Sequence, residues 1–219
     1  MKEYRQCTRC VMSDKSDPDI RFDAKGHCNY CNDALDKMPK VYFPNREGGE
    51  KLNRMLAEIK EAGKGKPFDC LMGISGGLDS AYLAYLGAAK WGLRIAAVHI
   101  DDGFDTETAI ANTEKLVKKC GLEIVTIKPD KRQFNELTRA YMLAGVPSLA
   151  NPQDNILFAN LHVYAKENKI PNFLSGVNFA LECILQPTKS HPFVDTVNML
   201  DINEKFGRDK TDRLDIMSL

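Results

Sequence analysis

The sequence predicts an α/β protein: a parallel-sheet, Rossmann-like domain preceded by a small N-terminal four-cysteine module. Three observations point there. From Phe68 onward, short apolar runs alternate with segments of helical period. The first forty residues hold four of the seven cysteines and show no sustained apolar period. Between these regimes, "GKGKP" at residues 63–67 breaks a helix and reads as a linker. The expected division is a zinc-binding module over 1–40, a helical linker over 41–66 and a main domain over 67–219.

Each element follows in order. In "REGGEKLNRMLAEIKEA", residues 46–62, Leu52, Met55, Leu56 and Ile59 recur at helical spacing. "FDCLMGI" reads as a buried strand. Residues 79–91 read as a helix, with Leu78, Tyr82, Leu83, Tyr85, Leu86 and Ala89 on one face and Gly92 as its stop. "LRIAAVHI" predicts a second strand and residues 105–120 a second helix. "LEIVTI" is the third strand, helices follow near 130–144 and 153–168, and "NFLSG" is the fourth strand. Strands joined through helices require right-handed crossovers and a sheet covered on both faces. Ligands of such sheets bind beyond the carboxyl ends of the strands, so the residues just after each strand are the ones to inspect.

Thirty basic residues balance thirty acidic ones, with a pI near 6.9. A polyanion binder usually carries a basic excess, so this balance disfavours nucleic acid as a partner. "MKEYRQCTRC" lacks an apolar signal region and no long apolar window follows, so the expectation is a cytoplasmic protein with no membrane partner.

Cys7-x2-Cys10 and Cys28-x2-Cys31, with seventeen residues between the pairs, fit the four-cysteine zinc pattern. Two such turns complete a closed tetrahedral shell of thiolates, which replaces a core that forty polar residues cannot build. Disulfides and an iron–sulfur cluster are the alternatives with the same ligand count. His27 adjoins Cys28 and reads as a surface residue.

The second stretch that carries chemistry is "GISGGLDS", residues 73–80, where the first strand gives way to a helix. Unpaired amides and the positive end of the helix dipole attract anions there. Glycines let backbone approach phosphate oxygens, Ser75 and Ser80 add hydroxyl donors, and Asp79 offers a carboxylate to Mg²⁺. Neither a Walker A loop nor a G-x-G-x-x-G fingerprint occurs. A plain helix cap from Ser75 or Asp79 is the structural alternative.

The octet resembles the PP-loop of ATP pyrophosphatases (a HUP-type nucleotide fold), which cleave ATP between the α and β phosphates. "CTRCVMSDKSDPDIRFDAKGHCNYC", "VHIDDGF", "NPQDNILFA" and "SGVNFALECI" further resemble segments of the N-acetyl sugar amidotransferases, and the likeness covers residues 4 to 207. That resemblance implies ATP-dependent conversion of an acetamido group on a nucleotide-linked sugar into an acetamidino group, in surface polysaccharide (lipopolysaccharide) or flagellar glycan synthesis. It implies ATP, Mg²⁺ and Zn²⁺ as cofactors and a separate glutaminase subunit as the ammonia source; a homo-oligomer is left open. It implies that Gly73, Ile74, Ser75, Gly76, Gly77, Leu78, Asp79 and Ser80 hold the nucleotide's phosphates, with Asp79 a magnesium ligand. Ile100 and Asp101 would lie beside adenine and ribose, and the Gly176 backbone would touch nucleotide. Asp154 and Glu182 would meet metal or substrate, and Lys189 would face phosphate. Members of that family continue past the point where this sequence stops, so the main domain is expected to be C-terminally shortened. Two other readings compete: a PP-loop tRNA thiolase with Cys183 as sulfur carrier, and an ATP- or AMP-binding module without activity.

Overall fold

Strand β1 (Cys70–Gly73) occupies the interior of a four-stranded sheet, with β2 (Ile95–Ile100) on one side and β4 (Phe173–Leu174) on the other; β3 (Glu123–Ile127) pairs with the far side of β2. All pairings are parallel, with Leu71 opposite Ala96 and Phe173, and Val98 opposite Val125. The chain steps outward from β1 through β2 to β3 and then crosses back to add β4 beyond β1. That reversal opens a crevice between the carboxyl ends of β1 and β4. The computed structural model describes residues 4–177, 179–184 and 192–217.

Alternation along β1 and β2 explains how the sheet is covered on both faces. Cys70, Met72, Ile95 and Ala97 point to one face and pack with Ala84 and Leu93. Leu56 and Ile59 of α2 (Arg46–Ala62) and Leu83 of α3 (Leu78–Tyr85) cover that layer. Leu71, Ala96 and Val98 point to the other face, against Leu161 of α6 (Asn151–Glu167) and Ile170. A third cluster joins α5 (Lys131–Ala144), α6 and α8 (Thr196–Phe206) through Phe134, Leu137, Tyr141, Ile156, Met199 and Ile202. Burying one such side chain contributes roughly 1.5–3 kcal/mol, so these three clusters are what hold the sheet and its helices.

Two ties close the ends of this unit. Asp69, nearly fully buried before β1, accepts from the Arg94 amide at 2.8 Å and from the Arg94 guanidinium, which also donates to Gly63 O at 2.9 Å. Burial works against the Asp69 charge, but the Arg94 contacts outweigh it and hold the carboxyl below the usual range. Buried Asn155 of α6 donates to Phe193 O at 2.8 Å and Met217 O at 3.0 Å and accepts from the Met217 amide at 2.9 Å, which pins the tail.

The chain forms two compact units: residues 54–176 with 188–219, and residues 1–53 with 177–187. In the N-terminal unit, antiparallel bridges Gln6–Ser13 and Phe22–Cys28 shape two tight loops that lead into α1 (Asn29–Val41). Helix α7 (Phe179–Glu182) is the other described helix of this unit outside α1 and the start of α2.

Some elements depart from the sequence reading. Apolar periodicity does not predict helix α1, because its buried side is only Tyr30, Cys31 and Ala34; it is nucleated by the Cys28 turn, whose sulfur accepts from the Cys31 amide. The helix expected over 79–91 is α only to Tyr85 and widens into a π-turn at Leu86–Lys90, where a Cβ on Gly87 would fall 2.7 Å from Ile95 Cδ1. On α3, Leu78 and Tyr82 face solvent instead of the core. The fourth strand is short, and α8 follows it in a stretch whose sequence predicts no helix. Among the described residues, no helix is long and apolar enough to cross a membrane.

Candidate functional site

The loop after β1 is built around Gly76. Its φ is +71°, and a Cβ there would stand 2.4 Å from Ala109 O, in the first turn of α4 (Glu107–Cys120). Only glycine combines the left-handed backbone with that close approach. Asn112 of α4 also donates to Gly76 O at 3.5 Å. Within the loop, Ser75 Oγ and Ser80 Oγ lie 3.1 Å apart, the Gly77 amide donates to Ser75 Oγ at 3.4 Å, and Ser80 Oγ donates to Gly77 O at 3.2 Å. The hydroxyls thus fold the loop back on itself. Gly77 is the N-cap of α3 and supplies no side chain to its first-turn amides. Those amides remain donors for an anion. Asp79 is exposed in the same turn.

Beside the loop, the crevice between β1 and β4 holds a cavity of about 220 Å³. Gly73, Ile74 and Ser75 form one edge, Ile100 closes the β2 side, and Ser175 and Gly176 form the β4 edge. Gly176 approaches closely: a Cβ there would lie 3.5 Å from Asp79 Cβ and from the Ser80 amide nitrogen. Leu157 and Phe158 of α6 form an apolar wall, with Phe158 stacked on Phe193 at 5.1 Å.

The expected residues are distributed unevenly around this cavity. Gly73, Ile74, Ser75, Ile100 and Gly176 line it; Gly76, Gly77, Leu78, Asp79 and Ser80 make the adjoining loop and helix start. Asp101 is not among the lining residues. Its carboxylate is 2.7 Å from Lys128 Nζ, and that contact holds it below the usual carboxylate range. Its neighbour Asp102 lines the cavity instead and accepts from Gln153 Nε2 at 2.5 Å. Asp154 sits in the first turn of α6, and burial alone pushes its carboxyl up. Glu182 ends α7 in the N-terminal unit, and Lys189 lies outside the described residues. The sequence reading misses His99, Asp102, Asp105, Gln153 and Phe158, all of which line the cavity. They fall in or next to "VHIDDGF" and "NPQDNILFA", but composition alone does not say which side chain of a strand end turns inward.

In the N-terminal unit, the sulfurs of Cys7, Cys10, Cys28 and Cys31 all lie within 4.8 Å of one another. Cys7 and Cys31 are 3.8 Å apart, and Cys10 and Cys28 3.6 Å. A tetrahedral zinc with bonds of ~2.3 Å would set its sulfurs about 3.8 Å apart, so the cluster fits that ion. Burial opposes ionisation of Cys7, but backbone amides of Arg9, Cys28 and Cys10 outweigh it and bring the thiol down to about 6. Burial and the neighbouring thiols push Cys31 up. Four sulfurs packed this tightly share one charge readily and resist four, unless a cation sits among them.

No family model matches the sequence. A GMP synthase [glutamine-hydrolyzing] of Pyrobaculum aerophilum is 29% identical over 122 residues, 55% of this chain and 23% of that protein. One from Chlamydia caviae is 29% identical over 85 residues, 39% of this chain and 16% of that protein. The chain thus spans less than a quarter of the length of the curated relatives it matches. Among solved structures, the NH3-dependent NAD synthetase from Campylobacter jejuni overlays with a TM-score of 0.45 at 19% identity, over 70% of this chain and 73% of that one. The sequence similarity to the two synthases points to the PP-loop ATP pyrophosphatase superfamily.

Proposed function

We propose that this protein is an ATP-dependent amidotransferase of the N-acetyl sugar type. It transfers AMP to the amide oxygen of an acetamido group on a nucleotide-linked sugar, releasing pyrophosphate, and ammonia then displaces AMP to leave an acetamidino group. The observation that carries the reading is the junction of an amide-rich loop, closed around Gly76, with the cavity at the β1–β4 crevice. One end suits phosphates and the other, walled by Leu157 and Phe158, suits a purine ring.

An amide resists ammonia because its oxygen is a very poor leaving group, and adenylation turns that oxygen into part of AMP. The chain's task is to hold the α-phosphorus in line with the amide oxygen and to accept the charge that develops on pyrophosphate. The Ser75–Ser80 loop receives the β and γ phosphates, and the main chain around Ile100 borders the base and ribose. Exposed Asp79 has the oxygen donor and the position to hold Mg²⁺, which when bound neutralises phosphate charge.

Ammonia comes from a separate glutaminase subunit. Cys70 is buried in β1 with its thiol pushed up to about 12 by burial, and Cys120 is likewise pushed up by burial, which leaves neither suited to attack glutamine. The curated relatives are named as glutamine-hydrolysing, and this chain matches only a part of each, which supports a split arrangement. The test is ATP–pyrophosphate exchange with nucleotide-linked acetamido sugars, followed by mass spectrometry with ammonium. The product should carry one ammonia more and one water less than the substrate; glutamine alone should give none. Exchange without any sugar dependence would sink the substrate assignment.

A further inference from the structure

His99, near the end of β2, meets an acceptor at each ring nitrogen. Nδ1 is 2.9 Å from the carbonyl oxygen of Ile74, and Nε2 is 3.0 Å from Asp105 Oδ2. A carbonyl accepts only, so Nδ1 carries a proton. An ionised carboxylate also accepts only, so Nε2 must carry one too. Both contacts with an ionised Asp105 are therefore made only by the doubly protonated ring.

The two contacts reach opposite sides of the phosphate loop. Ile74 is the residue immediately before Ser75. Asp105 precedes Thr106, whose side chain accepts from the Ala109 amide and starts α4. Ala109 in turn is the backbone against which Gly76 rests. One ring thus joins the strand that enters the loop to the helix that backs it. It is largely buried, with side-chain exposure of 15%, and Asp105 is at 21%.

We infer that His99 is a positioning residue whose second proton sets the loop in its phosphate-binding shape. When the ring is doubly protonated, Asp105 and the start of α4 are drawn towards Ile74. When it loses the Nε2 proton, the ionised Asp105 is left without its donor and the support behind Gly76 slackens. The inference rests on the reading that this loop receives ATP phosphates. The charged groups around the ring include Asp102 and Asp105 in the cavity, Asp101 beside it (paired with Lys128), and Glu114 and Lys118 of α4 in the adjoining groove. None of these is itself assigned to the reaction.

The test compares the whole protein with its Asp105→Asn variant. The neutral amide that replaces the carboxylate donates to an unprotonated Nε2, so the bridge no longer needs the second proton. Mg·ATP affinity by calorimetry from pH 5.5 to 9 should weaken at least fivefold in the wild type as the ring deprotonates, and stay level in the variant. Titrations of ATP and of the remaining groups are common to both proteins, so the difference isolates the pair. The ring proton count is read separately by nitrogen-15 NMR on ligand-free protein, with His99→Ala identifying the signal among four histidines. The expected midpoint coincides with that of the affinity change. Identical affinity profiles in wild type and variant, or a ring singly protonated throughout, would overturn the inference. Absence of ATP binding at every pH would instead overturn the nucleotide reading, and with it the link from ring to ligand.

Discussion

Gly76 rests directly on Ala109: the space its Cβ would need is taken by the Ala109 carbonyl oxygen, 2.4 Å away, and by its Cα at 2.9 Å. The contact joins the loop after the first strand to a helix that follows the second, so the shape of the loop is a tertiary property.

Replacing Gly76 by Ala must therefore relieve both a left-handed φ and a backbone clash. The expected result is a loss of about 2 kcal/mol or more in unfolding free energy, together with loss of measurable ATP binding. Denaturant melts and calorimetry read the two effects; unchanged ATP affinity would remove the loop from the site.

Asp79→Asn keeps the size of the side chain and the helix start but removes the carboxylate. ATP–pyrophosphate exchange should fall below detection with the melting temperature nearly unchanged, since the residue is exposed. Ser75→Ala removes one hydroxyl of the 3.1 Å pair with Ser80 and should weaken ATP about tenfold, the equivalent of one hydrogen bond of ~1.4 kcal/mol.

The cysteine cluster should retain one zinc per chain. Mercurial titration should release that zinc as four thiols react, and Cys28→Ser should fail to retain it. Protons compete with the ion for thiolates, so release should also follow acidification. Full zinc retention by the serine variant would discard the site.

Asp69 and Arg94 predict an acid dependence of stability. The folded carboxyl lies below its ordinary value, so its contribution is present above the unfolded value near 3.8 and is lost as pH falls through the folded one. Arg94→Ala leaves a buried, unpartnered carboxylate and should cost about 3 kcal/mol at pH 7, less in strong acid. Urea melts at pH 3 and 7 check the sign: the gap between the two proteins should narrow at the lower pH.

The sheet domain was legible because its strands are apolar runs bounded by Gly and Asp, and because a parallel sheet must return through helices. Strand order was not: nothing in "NFLSG" says that it joins the far side of β1. The cysteine spacing was legible as well, since it is local chemistry. The cavity wall was less so. Asp101 and Asp102 are adjacent acids, and only the fold turns the first to Lys128 and the second inward. His99 was hidden for the same reason, because its two acceptors lie 25 residues before it and 6 after it.

The N-terminal unit is interrupted in sequence: its first part ends at residue 53, and its remainder begins at 177. Joining those pieces while residues 54–176 are still a flexible coil would carry a loop-closure cost of about 4 kcal/mol. Once the intervening unit has folded, Asn172 donates to Ile59 O at 3.5 Å, so most of that closure is already complete. Assembly should run from the inside outward, with the late-synthesised segment reaching the cysteines, where Ile184 packs, only after the sheet exists.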